Sequence, residues 1–358
     1  MIFTGDISIP FVGGIKIDRI PIEELNKRWI GNLEGSLVDA DADELTNLLK
    51  KRIVFNSVSA IRELLVKIPY HAFGIANNHL LDACGIKESL SNLESIGIQW
   101  FGAGHSIEEA ARPLLLSDDG IEYAIYAFGS RNINCVDARA NREGSNPYNK
   151  WHVSDLLSKA VKMHPNRRVI AFMHWNTELE LFPQPLDREL CHQLIDMGVY
   201  AIIGCHAHRV QPFEIYKGHP IVYGLGNFAF RQNTYMSGKL QFPDFSYTEI
   251  AFEIDNNRFY VHQFEYNPSN HTVTYIGKKR VSLSQAPFAT LDNEQYKKWF
   301  KNNRYQRKGI TISYFEDSRL KNELKYQYGV LRGAVINLLV KNNKVFHTVK
   351  SIASKIFK

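Results

Sequence analysis

The chain has 358 residues, 44% of them hydrophobic and 22% charged, with a formal net charge of +6. That is enough for one large α/β domain with a smaller appendage, and too apolar for a disordered chain. No apolar run reaches the roughly 20 residues of a membrane helix, and "MIFTGDISIP" is too short and too soon polar for a secretory signal, so a cytoplasmic protein is expected. Cys84, Cys135, Cys191 and Cys205 show no C-x-x-C spacing; they read as reduced, mostly buried thiols rather than a zinc ribbon or a disulfide framework.

"MIFTGD" opens as a short strand, and "IVFNS" and "HAFGIAN" follow as strands around "VSAIRELLVKI", whose apolar spacing is helical. The βαβ rhythm continues through helix "GIKESLSNLESIG", strand "IQWFGAG", helix "SIEEAAR" and the alternating strand "IEYAIYAFGS". After a polar, Asn-rich loop over 132–149 come helix "VSDLLSKAVKM", strand "RVIAFMHW", helix "LDRELCHQLIDMG" and strand "YAIIGC". "VQPFEIY" and "HPIVYGLGNF" read as strands about the turn "KGHP", then "YTEIAFEID" and "RFYVHQFEY" as a hairpin about "DNN".

Charge divides the chain. Residues 281–358 hold 15 Lys or Arg against 5 Asp or Glu, leaving 28 against 32 in the remainder. The expected division is an α/β domain over 1–283 and a basic, helical C-terminal extension over 284–358, with helices in "KNELKYQYGVLRGAVINLLV" and "VFHTVKSIASKIFK". Such charge suits an acidic partner, and a phospholipid surface, nucleic acid and an anionic polymer share that chemistry. The last helix sets Val345, Val349, Ile352 and Ile356 on one face, with Lys344, Lys350 and Lys355 elsewhere. That pattern fits peripheral membrane association or packing on the domain equally well.

Ligand-type side chains recur where strands end: Asp6 in "FTGD", Glu34 in "GNLEG", Asn78 and His79 in "ANNH", His174 in "AFMHW", His206 and His208 in "GCHAH". Singly, such an Asp is more often a turn former and such a His a packed core residue. Their conjunction at successive strand ends, where α/β folds build sites, is harder to ascribe to chance. On an extended chain His206 and His208 face the same way, which suits two imidazoles that each bind one of two metals. Carboxylate and imidazole donors together suit Zn, Mn or Fe rather than Mg or Ca. Two such cations about 4 Å apart can clamp a phosphoryl oxygen and stabilise the attacking and leaving oxygens. Arg131, after "IEYAIYAFGS", is a further candidate because a guanidinium suits a phosphate. Gly102 and Gly104 allow a tight turn but form no dinucleotide or phosphate-loop fingerprint. His192, on a helix, reads as structural.

The blocks "GD", "GNLEGSL", "ANNHLLDACG", "GAG", "HWNTE", "GCHAHRVQP" and "IVYGLGNF", over roughly residues 1–230, resemble those of the CapA-type capsule and poly-γ-glutamate synthesis proteins, a branch of the calcineurin-like metallophosphoesterases. The resemblance implies a four-layer α/β/β/α sandwich and two divalent transition metals (Mn, Fe or Zn). Asp6 and His208 match ligands of the first metal, Glu34 matches the bridge, and Asn78, His174 and His206 match ligands of the second. His79 matches the family's non-ligand histidine, placed to protonate or stabilise the leaving oxygen. Glu178 and Asn227 match an acidic and a polar position near the pocket. Ser8 stands where the wider superfamily has the histidine of D-x-H, leaving the first metal fewer protein ligands. "HWN" replaces "HWG", so that Asn176 is expected to narrow the pocket floor.

The resemblance further implies a metal-dependent phosphoesterase-like hydrolase of capsule or surface-polymer biosynthesis; the basic tail, not the resemblance, adds the expectation of peripheral association at the inner face of the membrane. A phosphorylated or lipid-linked polymer precursor is the expected partner, and nucleic acid is not. The alternatives are a non-hydrolytic capsule-assembly accessory protein that binds an anionic polymer, and amide hydrolysis or transfer on a γ-glutamyl polymer.

Overall fold

The computed structural model of the protein describes residues 1–305. The helices expected in the basic extension and the stripe from Val345 to Ile356 lie outside the described residues. In chain order the principal strands are β1 (Ile2–Ser8), β2 (Trp29–Leu33), β3 (Tyr70–Gly74), β4 (Gln99–Phe101), β5 (Ile121–Ser130), β6 (Arg167–His174), β7 (Ala201–Cys205), β8 (Asn227–Phe230), β9 (Thr248–Asp255), β10 (Arg258–Asn267) and β11 (Thr272–Val281). The first sheet runs β11-β10-β9-β1-β2-β3-β4, parallel from β1 to β4 and an antiparallel meander from β9 to β11. β9 pairs with β1 only over Ile2–Thr4, and β8 takes its place beside Asp6 and Ser8. The second sheet has β5, β6 and β7 in parallel at its centre.

Alternation along each strand sends side chains to opposite faces. Phe3, Ile30, Ala72 and Phe101 of the first sheet meet Ile125, Ile170, Phe172 and Ile203 of the second in a shared core. The Phe172 ring lies 5.9 Å from Phe3 and 6.1 Å from Phe101. The opposite face of the first sheet, with Ile2, Trp29 and Phe73, is covered by helices α1 (Val58–Lys67) and α2 (Ile86–Ser95) through Ile61, Leu64, Leu90 and Leu93. Helices α3 (Lys150–Met163) and α4 (Pro185–Asp196) lie on the second sheet, α3 packing on β6 and on α4. The layering is therefore α/β/β/α. Local sequence starts these helices where they begin: Ser57 accepts from Ala60 N, Asn149 accepts from His152 N, and Pro185 occupies the first turn of α4.

The stretch from Ser284 to Tyr305, grouped with the extension by its charge, packs on this body. Helix α5 (Asn293–Asn303) opens with an Asp292–Gln295 capping box. Tyr296 Oη donates to Pro183 O at 2.7 Å, and the buried Arg188 guanidinium lies under the Phe288 and Tyr296 rings while Nε donates to Glu214 at 2.8 Å. His192 braces the same carboxylate at 3.2 Å and stacks on Tyr216, the structural role its helix position suggested. Gly102 turns with φ +92°, where a Cβ would press on Ala127. Among the described residues no helix is long and apolar enough to cross a membrane.

Candidate metal centre

Every block of ligand-type residues arrives at one edge, where the parallel strands of both sheets end. Asp6 pairs across the sheet with Asn32 of β2 on one side and Asn227 of β8 on the other. Glu34 follows β2 directly, Asn78 and His79 lie in the loop after β3, and His174 ends β6 opposite Cys205, the residue before His206. Gly204 lets this edge close, because a Cβ there would collide with the Tyr223 carbonyl and the Trp175 indole. The two imidazoles of "HAH" do not converge through strand alternation. β7 stops at Cys205, and His206 (φ +86°) and His208 (φ +48°) both take left-handed backbone that turns the chain over the centre. Their rings end 5.8 Å apart.

Asp6 is fully buried, accepting from Asn32 Nδ2 (2.7 Å) and from the His206 backbone N–H (3.0 Å), with His208 Nδ1 at 3.5 Å. Burial pushes its carboxyl above the ordinary range, against the opposing pull of His208, Asn32 and the His206 amide. Glu34 is pushed much further, first by burial and then by the charges of Asp6, Glu178 and Asp82. His174 Nε2 sits 2.8 Å from Asn78 Oδ1, and its Nδ1 sits 3.3 Å from Asn32 Nδ2. His208 Nδ1 donates to Asn227 Oδ1 at 2.8 Å, which leaves the Nε2 lone pair facing Glu34 at 3.7 Å. Burial and the neighbouring histidines hold His174 and His206 well below the usual imidazole range, so both are neutral donors at pH 7. The Phe242 ring stacks on His208 at 4.2 Å and walls that side.

These donors fit a pair of cations. Asp6, Glu34 and His208 form one triad and Glu34, His174 and His206 another, with ligand atoms within 4.8 Å of one another in each. Both Glu34 oxygens and His206 Nδ1 are buried without a hydrogen-bond partner. Two carboxylate oxygens left bare at the shared corner of two triads are what a cation would satisfy, and costly otherwise. A third cluster, Glu24, Glu253 and His262, meets the same distance test but is already neutralised, with Lys27 Nζ 2.6 Å from both carboxylates and Lys278 Nζ 2.6 Å from Glu253.

The structure thus brings Asp6, Glu34, Asn78, His174, His206 and His208 together, with His79 Nε2 3.8 Å from Glu34. Glu178 is exposed, near enough for its charge to act on Glu34. Arg131 pairs with Asp137 at 3.0 Å. Asn176, expected on the pocket floor, is turned into loop bracing instead: its Nδ2 donates to Tyr223 O (3.3 Å) and Gln211 (3.4 Å), and its Oδ1 accepts from Gln184 N (3.3 Å). Ser8, at the D-x-H position, bonds Tyr235 Oη at 2.6 Å. Three residues escaped the sequence reading. Asn32 bridges Asp6 and His174; Asn77 ties Gly35, Leu33 and His79 together. Asp82 accepts from His79 Nδ1 at 2.6 Å and from Val54 N at 2.8 Å. The i,i+3 spacing of His79 and Asp82 was the available signal.

Fold and site together define an α/β/β/α protein with a carboxylate-centred candidate site for two cations. Residues 24–232 match the model of the family described as bacterial capsule synthesis protein PGA_cap, and the chain belongs to that family. The match contains every candidate ligand except Asp6. The chain is 27% identical over 212 residues to capsule biosynthesis protein CapA of Bacillus anthracis, covering 56% of this chain and 50% of that one. It is 29% identical over 173 residues to PGA biosynthesis protein CapA of Bacillus subtilis (strain 168), covering 48% and 45%. The chain thus spans about half the length of the curated relatives it matches. The solved structure of calcineurin-like phosphoesterase YfkN from Bacillus subtilis aligns over 84% of this chain and 96% of that one, at 12% identity and a TM-score of 0.38.

Proposed function

We propose that this chain is a metal-dependent phosphoesterase that acts on a phosphorylated or lipid-linked precursor in the making of a capsule or related surface polymer. The observation that carries the reading is Glu34, fully buried, bare at both oxygens and common to two triads. Asp6 and His208 would hold one divalent transition cation, Asn78, His174 and His206 the other, with Glu34 between them. When bound, such cations supply Lewis acidity toward a phosphoryl group and toward water.

The chain's own groups do the rest. Neutral His174 and His206 offer lone pairs at neutral pH without first losing a proton. Asn227 holds His208 in the tautomer that leaves Nε2 free. Asp82 fixes the His79 ring through Nδ1 and leaves Nε2, beside Glu34, as the atom that gives a proton to the departing oxygen. The basic extension adds peripheral attachment to anionic lipid at the cytoplasmic face, tested by salt-sensitive sedimentation of the full chain with anionic vesicles.

A phosphoester panel tests the reading. Manganese-loaded protein should release product from at least one ester. His79→Asn should keep its metal yet lose about 10²–10⁴-fold on an alkyl phosphodiester and much less on a nitrophenyl ester, whose leaving group needs little help. Hydrolysis of no ester by metal-replete protein would sink the proposal, and a polyglutamate cleavage assay run beside it separates γ-glutamyl amide chemistry.

A further inference from the structure

The residue after His208 is an arginine, and its setting differs from that of Arg131, the guanidinium singled out in the sequence. Arg131 is spent on Asp137 at 3.0 Å. Arg209 has no carboxylate in ion-pair contact among the described residues, and its hydrogen bond to the Leu179 carbonyl is a long one, 3.5 Å from Nη1. Two aromatic rings hold it, Phe245 at 4.1 Å and Tyr305 at 4.9 Å from the guanidinium carbon, with the rings themselves 5.6 Å apart. Aromatic faces fix a guanidinium by cation–π attraction and leave its in-plane N–H groups unspent.

The location ties this group to the centre. Leu179 N donates to Ala207 O at 2.9 Å, between the two histidines of "HAH", and Leu179 O accepts from Arg209. The loop carrying Glu178 is therefore stitched to both sides of His208. Phe242 backs His208 and Phe245, three residues on, backs Arg209, so one segment walls both. Tyr305 is itself fixed, its N–H donating to the buried Glu180 carboxylate at 2.7 Å. The result is a half-buried cation one residue after the candidate ligand His208, held between two rings and with donors to spare.

We propose that Arg209, clamped between Phe245 and Tyr305, is a specificity-determining residue that binds a second oxyanion of the substrate while the phosphoryl group occupies the metal centre. The inference rests on the phosphoesterase reading and adds to it: the preferred substrate carries a carboxylate or a second phosphoryl group beyond the reacting one. A planar guanidinium fork suits either oxyanion.

Isothermal titration of the manganese-loaded full chain with non-hydrolysable alkylphosphonates tests this. Chains of three to six carbons would end in methyl, carboxylate or a second phosphonate. Wild type should bind at least one carboxylate- or phosphonate-ended ligand about tenfold or more tightly than its methyl-ended counterpart, the discrimination a charge-assisted hydrogen bond supports. Which ending wins identifies the second group. In Arg209→Gln that affinity ratio should fall to near one, in Arg209→Lys part of it should survive, and Phe245→Ala should lower it by freeing the guanidinium. Circular dichroism and metal content verify that each variant is folded and loaded. A ratio preserved in Arg209→Gln, or absent from wild type while methyl-ended ligands bind, overturns this inference alone. Failure of all the phosphonates to bind wild type overturns the phosphoesterase reading with it.

Discussion

Replacing Glu34 by Gln should separate the two states of the centre. With metal removed, the buried carboxyl has no hydrogen-bond partner and is pushed well above its ordinary value of 4.5 by burial, Asp6, Glu178 and Asp82, which favours its protonated form. Glutamine is close to isosteric with that neutral form, and the metal-free variant should differ from wild type by less than about 1 kcal/mol at pH 5. The sign of the pH dependence is set by the raised value. A carboxyl raised in the folded state costs stability once the unfolded chain ionises, so metal-free wild type loses ground to the variant as pH rises from 4.5 through the folded value. With metal the order reverses. A cation at 100 times its dissociation constant stabilises wild type by about 2.7 kcal/mol, and a hundredfold loss of affinity in Glu34→Gln would leave about 0.4 kcal/mol. Urea unfolding in chelator and in excess Mn²⁺ reads both quantities. Equal metal-dependent gains in the two proteins, or equal losses for the variant with and without metal, would refute the assignment of Glu34 as the shared ligand.

His206→Ala combined with His208→Ala removes one donor from each triad and should strip metal while leaving a folded domain, seen as near-native circular dichroism with little metal by elemental analysis; unchanged metal content would reject both ligands. Glu249, buried and pushed up to about 8 by its burial, is ionised in the unfolded chain at pH 7 but not in the folded one. Glu249→Gln should therefore stabilise by about 3 kcal/mol at pH 7 and by almost nothing at pH 4.5, whereas the same offset at both values would show that ionisation is not the cause. Glu214→Gln leaves the buried Arg188 guanidinium uncompensated and should cost about 3–5 kcal/mol in urea unfolding, part of it recovered by adding Arg188→Met. A cost below about 1 kcal/mol would mean that Arg188 has found another anion.

The sandwich was legible because periodicity was clean where strands and helices alternate, as in "VSAIRELLVKI" and "IEYAIYAFGS", which became α1 and β5. β2 was not, since "WIGNL" interrupts its apolar run with Gly31 and Asn32, and only the register with β1 shows Asn32 to be the partner of Asp6. Charge concealed the packing of α5, where Tyr296 and Phe300 face inward at i,i+4 spacing among lysines. Candidate ligands showed in the sequence because donor-type residues at strand ends are conspicuous. The groups that orient them were not: Asn77 and Asp82 look like ordinary turn residues until the fold sets both against His79. The left-handed backbone at His206 and His208 has no signature in residue type, so the pair looked like strand alternation when it is a turn.

The central claim is that Glu34 stands between two cations. Crystals grown with Mn²⁺ and measured for anomalous scattering test it most directly. Two peaks should flank Glu34, one beside Asp6 and His208 and the other beside Asn78, His174 and His206, and no peak should appear at the lysine-neutralised Glu24–Glu253–His262 cluster. An empty edge around Glu34 at saturating Mn²⁺, or peaks elsewhere, would contradict it.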